Sequence, residues 1–139
     1  MRIPPSFLAL SALLLAALPA CQTTTVDPEF LVADANSDGV IDAAELDDHV
    51  AARFMTAYDA NGDKGISLAE WKAVNPEADG VRFKARDKNG DGKVAMDELL
   101  PVVRANPTFG KLMETIDKNG DGVAQPAEAG EFRNHMPEL

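Results

Sequence analysis

Cysteine is almost missing from this 139-residue chain: Cys21 stands alone, so no disulfide can form within it. Histidine is nearly as scarce. His49 and His135 are the two, neither has companions that would make a catalytic set, and both are expected on surface helix faces. Basic residues are heavily outnumbered, 13 Lys and Arg against 23 Asp and Glu, for a formal charge of −10. Such an acidic balance excludes nucleic acid as a partner. Long apolar stretches are also lacking. The one extended run, residues 7–18, falls short of the ~20 residues a bilayer-spanning helix needs.

That run has another use. Arg2 before it and Ala20 after it give a short positive start, an apolar middle and a small residue before a cut, the pattern of a secretory signal over residues 1–20. Leu18, Pro19, Ala20 and Cys21 resemble a bacterial lipobox, with Cys21 as the lipid acceptor, although Pro19 replaces the usual small or β-branched residue. The resemblance implies lipidation at Cys21, a tether over residues 21–26 and membrane attachment through the lipid alone. The chain is therefore expected to be exported, to the periplasm or cell surface. The other reading is an ordinary secreted protein cut near Ala20.

Without residues 1–20 there remain 12 basic and 23 acidic side chains, a charge of −11. The acids are not scattered. Four twelve-residue stretches begin at Asp34, Asp59, Asp87 and Asp117 and end at Glu45, Glu70, Glu98 and Glu128. Ca²⁺ is a hard cation that takes six to eight oxygens, and a short loop supplies them from side chains at alternate positions, one main-chain carbonyl and a terminal bidentate glutamate. Loop 1 offers Asp34, Asn36, Asp38, the carbonyl of Val40, Asp42 and Glu45. Loop 2 offers Asp59, Asn61, Asp63, Gly65, Ser67 and Glu70. Loop 3 offers Asp87, Asn89, Asp91, the carbonyl of Lys93 and Glu98, with Ala95 leaving the ninth position to water. Loop 4 offers Asp117, Asn119, Asp121, the carbonyl of Val123 and Glu128. Four bound Ca²⁺ would bring the charge from −11 to −3.

Loop 2 departs from the pattern at its sixth position, where Lys64 replaces the turn glycine. That turn uses positive φ, so some affinity is expected to be lost there. Loops 3 and 4 share Asp-Lys-Asn-Gly-Asp-Gly at 87–92 and 117–122, a sign of internal duplication. With three full matches and one single-residue departure, residues 27–139 resemble the EF-hand calcium-binding proteins, calmodulin-like in having four hands and closest in type to compact bacterial secreted or lipid-anchored members. The resemblance implies an all-α fold of four helix-loop-helix units, with short β-bridges between paired loops. The eighth loop positions, Ile41, Ile66, Val94 and Ala124, are where such bridges would form.

Between Glu45 and Asp59 there is no Gly or Pro, and Leu46, Val50, Phe54 and Tyr58 share an i, i+4 stripe. One helix is thus expected to leave loop 1 and feed loop 2, placing those loops about 20 Å apart and unable to bridge. Asp27-Pro28, Asn75-Pro76 and Asn106-Pro107 read as helix starts, and Pro126 as the start of the last helix. Phe109, Leu112, Met113 and Ile116 form the apolar face of the helix before loop 4. Loop starts are 25, 28 and 30 residues apart, and hands 3 and 4 are the expected pair, with hands 2 and 3 the runner-up. Phe30, Trp71, Phe83, Leu99, Val102 and Phe132 are the expected core.

The function these features point to is calcium binding in an exported, lipid-anchored protein, as a sensor or buffer of the cell envelope. The alternative is a dockerin-like interaction or adhesion module, rigidified by calcium, with an envelope protein as partner. An enzyme is not expected, because the carboxylates are committed to the loops.

Overall fold

The computed structural model describes residues 26–128 and 132. The expected signal segment, Cys21, the tether apart from Val26, and His135 lie outside the described residues. The described chain is mostly helical. In order come α1 (Pro28–Ala33), α2 (Ala43–Tyr58), β1 (Gly65–Ser67), α3 (Leu68–Val74), α4 (Gly80–Arg86), β2 (Lys93–Ala95), α5 (Met96–Ala105) and α6 (Pro107–Ile116).

The starts of these helices follow from local chemistry. The Asp27 carboxylate accepts the Glu29 N–H at 2.9 Å with Pro28 in the first turn, and Asn106 accepts the Thr108 N–H at 3.0 Å ahead of Pro107. At Asn75-Pro76 the expectation fails. No helix begins at Pro76, where residues 76–77 form a turn, and the Asn75 amide nitrogen donates to the Tyr58 hydroxyl at 2.6 Å. Asn75 instead ends α3, and α4 starts four residues later, where Asp79 accepts the Arg82 N–H at 3.1 Å. Pro126 is a second correction: residues 126–128 form a turn, whereas Phe132 is helical.

α2 is continuous over 16 residues, about 24 Å at 1.5 Å per residue, which sets loops 1 and 2 at opposite ends of one rod. Each loop must find its partner elsewhere in the chain. β1 and β2 pair antiparallel with Ile66 opposite Val94, joining loop 2 to loop 3. Ile41 and Ala124 form an isolated antiparallel bridge, with Ile41 N–H to Ala124 O at 2.9 Å and Ala124 N–H to Ile41 O at 2.8 Å. The expected pairing of loops 3 and 4 is therefore wrong, and the runner-up is the one formed. The reason lies in the connectors: α2 separates loops 1 and 2, and α5 with α6 separates loops 3 and 4. The structure takes the nested arrangement, 2 with 3 and 1 with 4, in which the inner pair joins loops that are neighbours in sequence.

α2 packs along α5, and Arg104 of α5 reaches Asp47 at 3.8 Å and Asp48 at 3.3 Å on α2. A single apolar cluster runs through the described residues. It includes Phe30, Leu46, Val50, Phe83, Leu99, Phe109, Leu112, Ile116 and Phe132, and all four bridge residues, Ile41, Ile66, Val94 and Ala124, at 0% exposure. Complete burial of an Ile or Val contributes about 1.5–3 kcal/mol, so the bridges anchor the loops to the core as well as to each other. Val103, not Val102, is the buried valine of α5. Trp71 and Phe54 are half-buried against the cluster.

Candidate metal centres

One hydrogen-bond scheme repeats in all four loops. The first aspartate accepts the N–H of the sixth residue: Asp34 from Gly39 at 3.0 Å, Asp59 from Lys64 at 2.8 Å, Asp87 from Gly92 at 3.0 Å and Asp117 from Gly122 at 2.8 Å. The third residue accepts from the fifth. Asn36, Asn61, Asn89 and Asn119 do so at 2.7, 2.8, 2.8 and 2.8 Å. The fifth accepts from the seventh, with Asp38, Asp63, Asp91 and Asp121 taking the N–H of Val40, Gly65, Lys93 and Val123. Each backbone donor is thereby satisfied from inside the loop, and each acidic side chain is turned inward.

The closing glutamates do two jobs with their two oxygens. Glu45 accepts Asn36 N–H on Oε1 and Asp42 N–H on Oε2, both at 3.1 Å. Glu70 spans Asn61 and Ser67, Glu98 spans Asn89 and Ala95, and Glu128 spans Asn119 and Gln125. In loops 1, 2 and 3 the twelfth position is also the third residue of the following helix. Asp42 and Ser67 return the bond, accepting Glu45 N–H at 2.8 Å and Glu70 N–H at 3.3 Å, so α2 and α3 begin with reciprocal caps. Ala95 cannot do this, and α5 lacks a side-chain cap.

Oxygen atoms of Asp34, Asp38 and Glu45 lie within 4.8 Å of one another, as do those of Asp117, Asp121 and Glu128. Among the described residues these are the tightest carboxylate groups, and they sit in the two bridged loops 1 and 4. Three hard oxygen donors converging at that spacing suit a divalent cation of the calcium type. Asp34 and Glu98 are each only 7% exposed and Glu45 9%. Burying a carboxylate is costly unless it is hydrogen-bonded, and the N–H donors above offset that cost. The Ser67 main-chain N–H, then its hydroxyl at 2.7 Å, hold Glu70 below the ordinary carboxylate range. The Asn89 N–H is foremost in doing the same for Glu98. A lowered carboxylate pKa leaves the proton a weaker competitor for a metal.

Lys64 sits in the sixth position of loop 2 with φ +68°, the left-handed region, where the matching glycines have φ +89°, +87° and +91°. Left-handed backbone costs a side-chain-bearing residue about 1–2 kcal/mol, while a glycine there adds about 0.4–1 kcal/mol of unfolded-chain entropy to be lost on folding. Lys64→Gly is accordingly expected to raise stability by about 0.5–1 kcal/mol. A higher urea midpoint at unchanged slope is the measurement, and a lower midpoint would contradict the strain argument.

Three features escaped the sequence reading. His49 is not a surface residue: it is 9% exposed, its Nε2 lies 3.3 Å from Glu29 Oε1, and its ring is 5.7 Å from that of Phe132. Arg53 pairs with the same Glu29 oxygen. Trp71 is flanked by Tyr58 at 5.2 Å and Phe83 at 6.4 Å between ring centres, with the Arg86 guanidinium 5.0 Å from its ring. Burial lowers the Arg86 pKa. Third, Lys93 Nζ in loop 3 lies 2.7 Å from Asp63 Oδ2 in loop 2, which lowers the pKa of Asp63 and raises that of Lys93. The i, i+4 stripe marks Tyr58 as a core position, but no local pattern signals contacts such as Lys93 to Asp63, 30 residues apart.

Residues 26–51 match the EF hand family model. The chain is 34% identical over 79 residues to calcium-binding allergen Ole e 8 of Olea europaea, covering 52% of this chain and 46% of that protein. It is 42% identical over 43 residues to calcineurin B of Naegleria gruberi, 30% of this chain and 24% of that one. A third likeness, 28% over 106 residues, is to the mitochondrial adenyl nucleotide antiporter SLC25A24 of Mus musculus, covering 76% of this chain and 19% of the relative. In each case the chain spans less than half of the relative's length. The family match is to one EF hand, over residues 26–51, and the likeness to the calcium-binding allergen runs over a longer stretch of 79 residues.

Proposed function

We propose that all four loops are calcium sites, that residues 27–139 form a four-hand domain, and that the protein works outside the cytoplasm as a lipid-anchored calcium sensor or buffer of the envelope. The observation that carries the four-site reading is the repeated scheme itself: the same turns and the same two-oxygen glutamate clasp occur in every loop. In site 1 the ion would be held by Asp34, Asn36, Asp38, the Val40 carbonyl, Asp42 through water, and Glu45. Site 2 would use Asp59, Asn61, Asp63, the Gly65 carbonyl, Ser67 and Glu70. Sites 3 and 4 would use Asp87, Asn89, Asp91, the Lys93 carbonyl and Glu98, and Asp117, Asn119, Asp121, the Val123 carbonyl and Glu128. Bound Ca²⁺ supplies positive charge that relieves the repulsion among the gathered carboxylates.

Export and anchoring rest on the signal-like residues 1–20 and on Cys21. The role is proposed to be non-enzymatic, with the loop acids engaged in the ligand scheme and His49 held by Glu29. Calorimetric calcium titration of the purified chain is expected to give a stoichiometry of four. A single ion bound, at the loop within residues 26–51, would sink the four-site reading while leaving one hand intact.

A further inference from the structure

We propose that Lys93 is a tethered counter-cation of site 2, which neutralises Asp63 while that site is empty and sets its calcium affinity because the ammonium must withdraw when the ion enters. The inference rests on the four-site reading above. Asp63 Oδ1 accepts the Gly65 N–H at 3.1 Å within its own loop, and the second carboxylate oxygen, Oδ2, faces the partner loop. It is this oxygen that the Lys93 ammonium takes, at 2.7 Å. In loops 3 and 4 the matching oxygens meet neutral amides from their own loops: Asp91 Oδ2 accepts from Asn89 and Asp121 Oδ2 from Gln125, both at 3.0 Å.

The path for the lysine comes from a displaced glycine. Loops 1, 3 and 4 read Gly then a side chain at their sixth and seventh positions, Gly39-Val40, Gly92-Lys93 and Gly122-Val123, whereas loop 2 reads Lys64-Gly65. β1 and β2 place Ser67 opposite Lys93 and Gly65 opposite Ala95, so Lys93 lies diagonally across the ladder from Gly65. A Cβ on Gly65 would fall 2.9 Å from Lys93 Cδ and 3.1 Å from Lys93 Cβ. The methylene stem thus crosses the bare Cα of Gly65 on its way to Asp63. A side chain at position 65, as in the other loops, would close that route.

Lys93 therefore serves two sites. Its carbonyl is the main-chain ligand proposed for site 3, and its ammonium occupies a ligand oxygen of site 2, so the affinity of one loop is written partly in the side chain of its partner. Exposed ion pairs are weak, and the change in affinity expected from this one is about 2- to 5-fold.

The test is a calcium titration of the full chain followed by amide NMR, reading the Gly65 signal for site 2 and the Gly122 signal for site 4. Lys93→Met is expected to lower the Gly65 midpoint about 2- to 5-fold in low salt, to move the Gly122 midpoint less, and to lose its advantage as ionic strength rises. Lys93→Arg, which keeps the charge, should stay near the parent. Lys84→Met, an exposed lysine on α4, controls for net charge. A Gly65 midpoint that does not move, or that moves no more than with Lys84→Met, overturns the tethered cation alone. A parent chain in which neither amide responds to calcium overturns this inference together with the four-site reading.

Discussion

Glu45→Gln is expected to weaken calcium binding at site 1 by at least about 10- to 100-fold, the range seen when even outer partners of a metal ligand are removed. The argument is one of oxygen counting. Glu45 accepts an N–H on each oxygen, from Asn36 on the loop and Asp42 at the helix start, while one oxygen also lies within 4.8 Å of oxygens of Asp34 and Asp38. A carboxamide has one acceptor oxygen and an NH₂ group, so one of these N–H groups would meet another donor, and the bidentate grip on the ion would be lost at once. The measurement is calorimetry on the variant against the parent. A parent-like isotherm would show that the glutamate clasp is a helix cap only.

Chelation is expected to lower the melting temperature by about 10 °C or more. A ligand that binds the folded state alone adds about 2.7 kcal/mol per site at a hundredfold excess over Kd, and 1 kcal/mol moves Tm by about 4–8 °C for about 60–100 residues and about 2–4 °C for about 150–250, which bracket this domain. Two filled sites meet that expectation. The direction follows from the charge, since the region after residue 20 carries −11 and gathers its acids in four small loops. Calorimetric scans in chelator and in millimolar calcium are the comparison, and identical Tm values would show that the loops hold their shape without contributing binding energy to the fold.

The loops and the long helix between the first two were legible because their signals are local. Oxygen donors at fixed offsets, an unbroken i, i+4 stripe from Leu46 to Tyr58, and apolar residues at the eighth loop positions each fit within a few turns of chain. The pairing was not legible in the same way. The bridging residues Ile41, Ile66, Val94 and Ala124 were identifiable, but which meets which depends on helix lengths and on how α2 and α5 pack, which are tertiary facts. Asn75 shows the same limit on a smaller scale. Its place before a proline suits a cap, yet no helix begins there, and its amide nitrogen donates to the Tyr58 hydroxyl, 17 residues away. His49 was expected on a surface helix face, while its burial depends on Glu29 and Phe132, which no spacing on its own helix reveals.

The nested ladder arrangement has a bearing on the order in which the molecule can assemble. Ile66 and Val94 meet after 28 intervening steps along the chain, whereas Ile41 waits for Ala124, 83 positions later. As a polypeptide emerges from the ribosome or a translocon beginning at its N-terminus, the inner clasp can close while the earliest loop still lacks its mate. Closing so wide an outer loop carries the larger chain-entropy cost, so loop 1, though made before the other three, is among the last to lock.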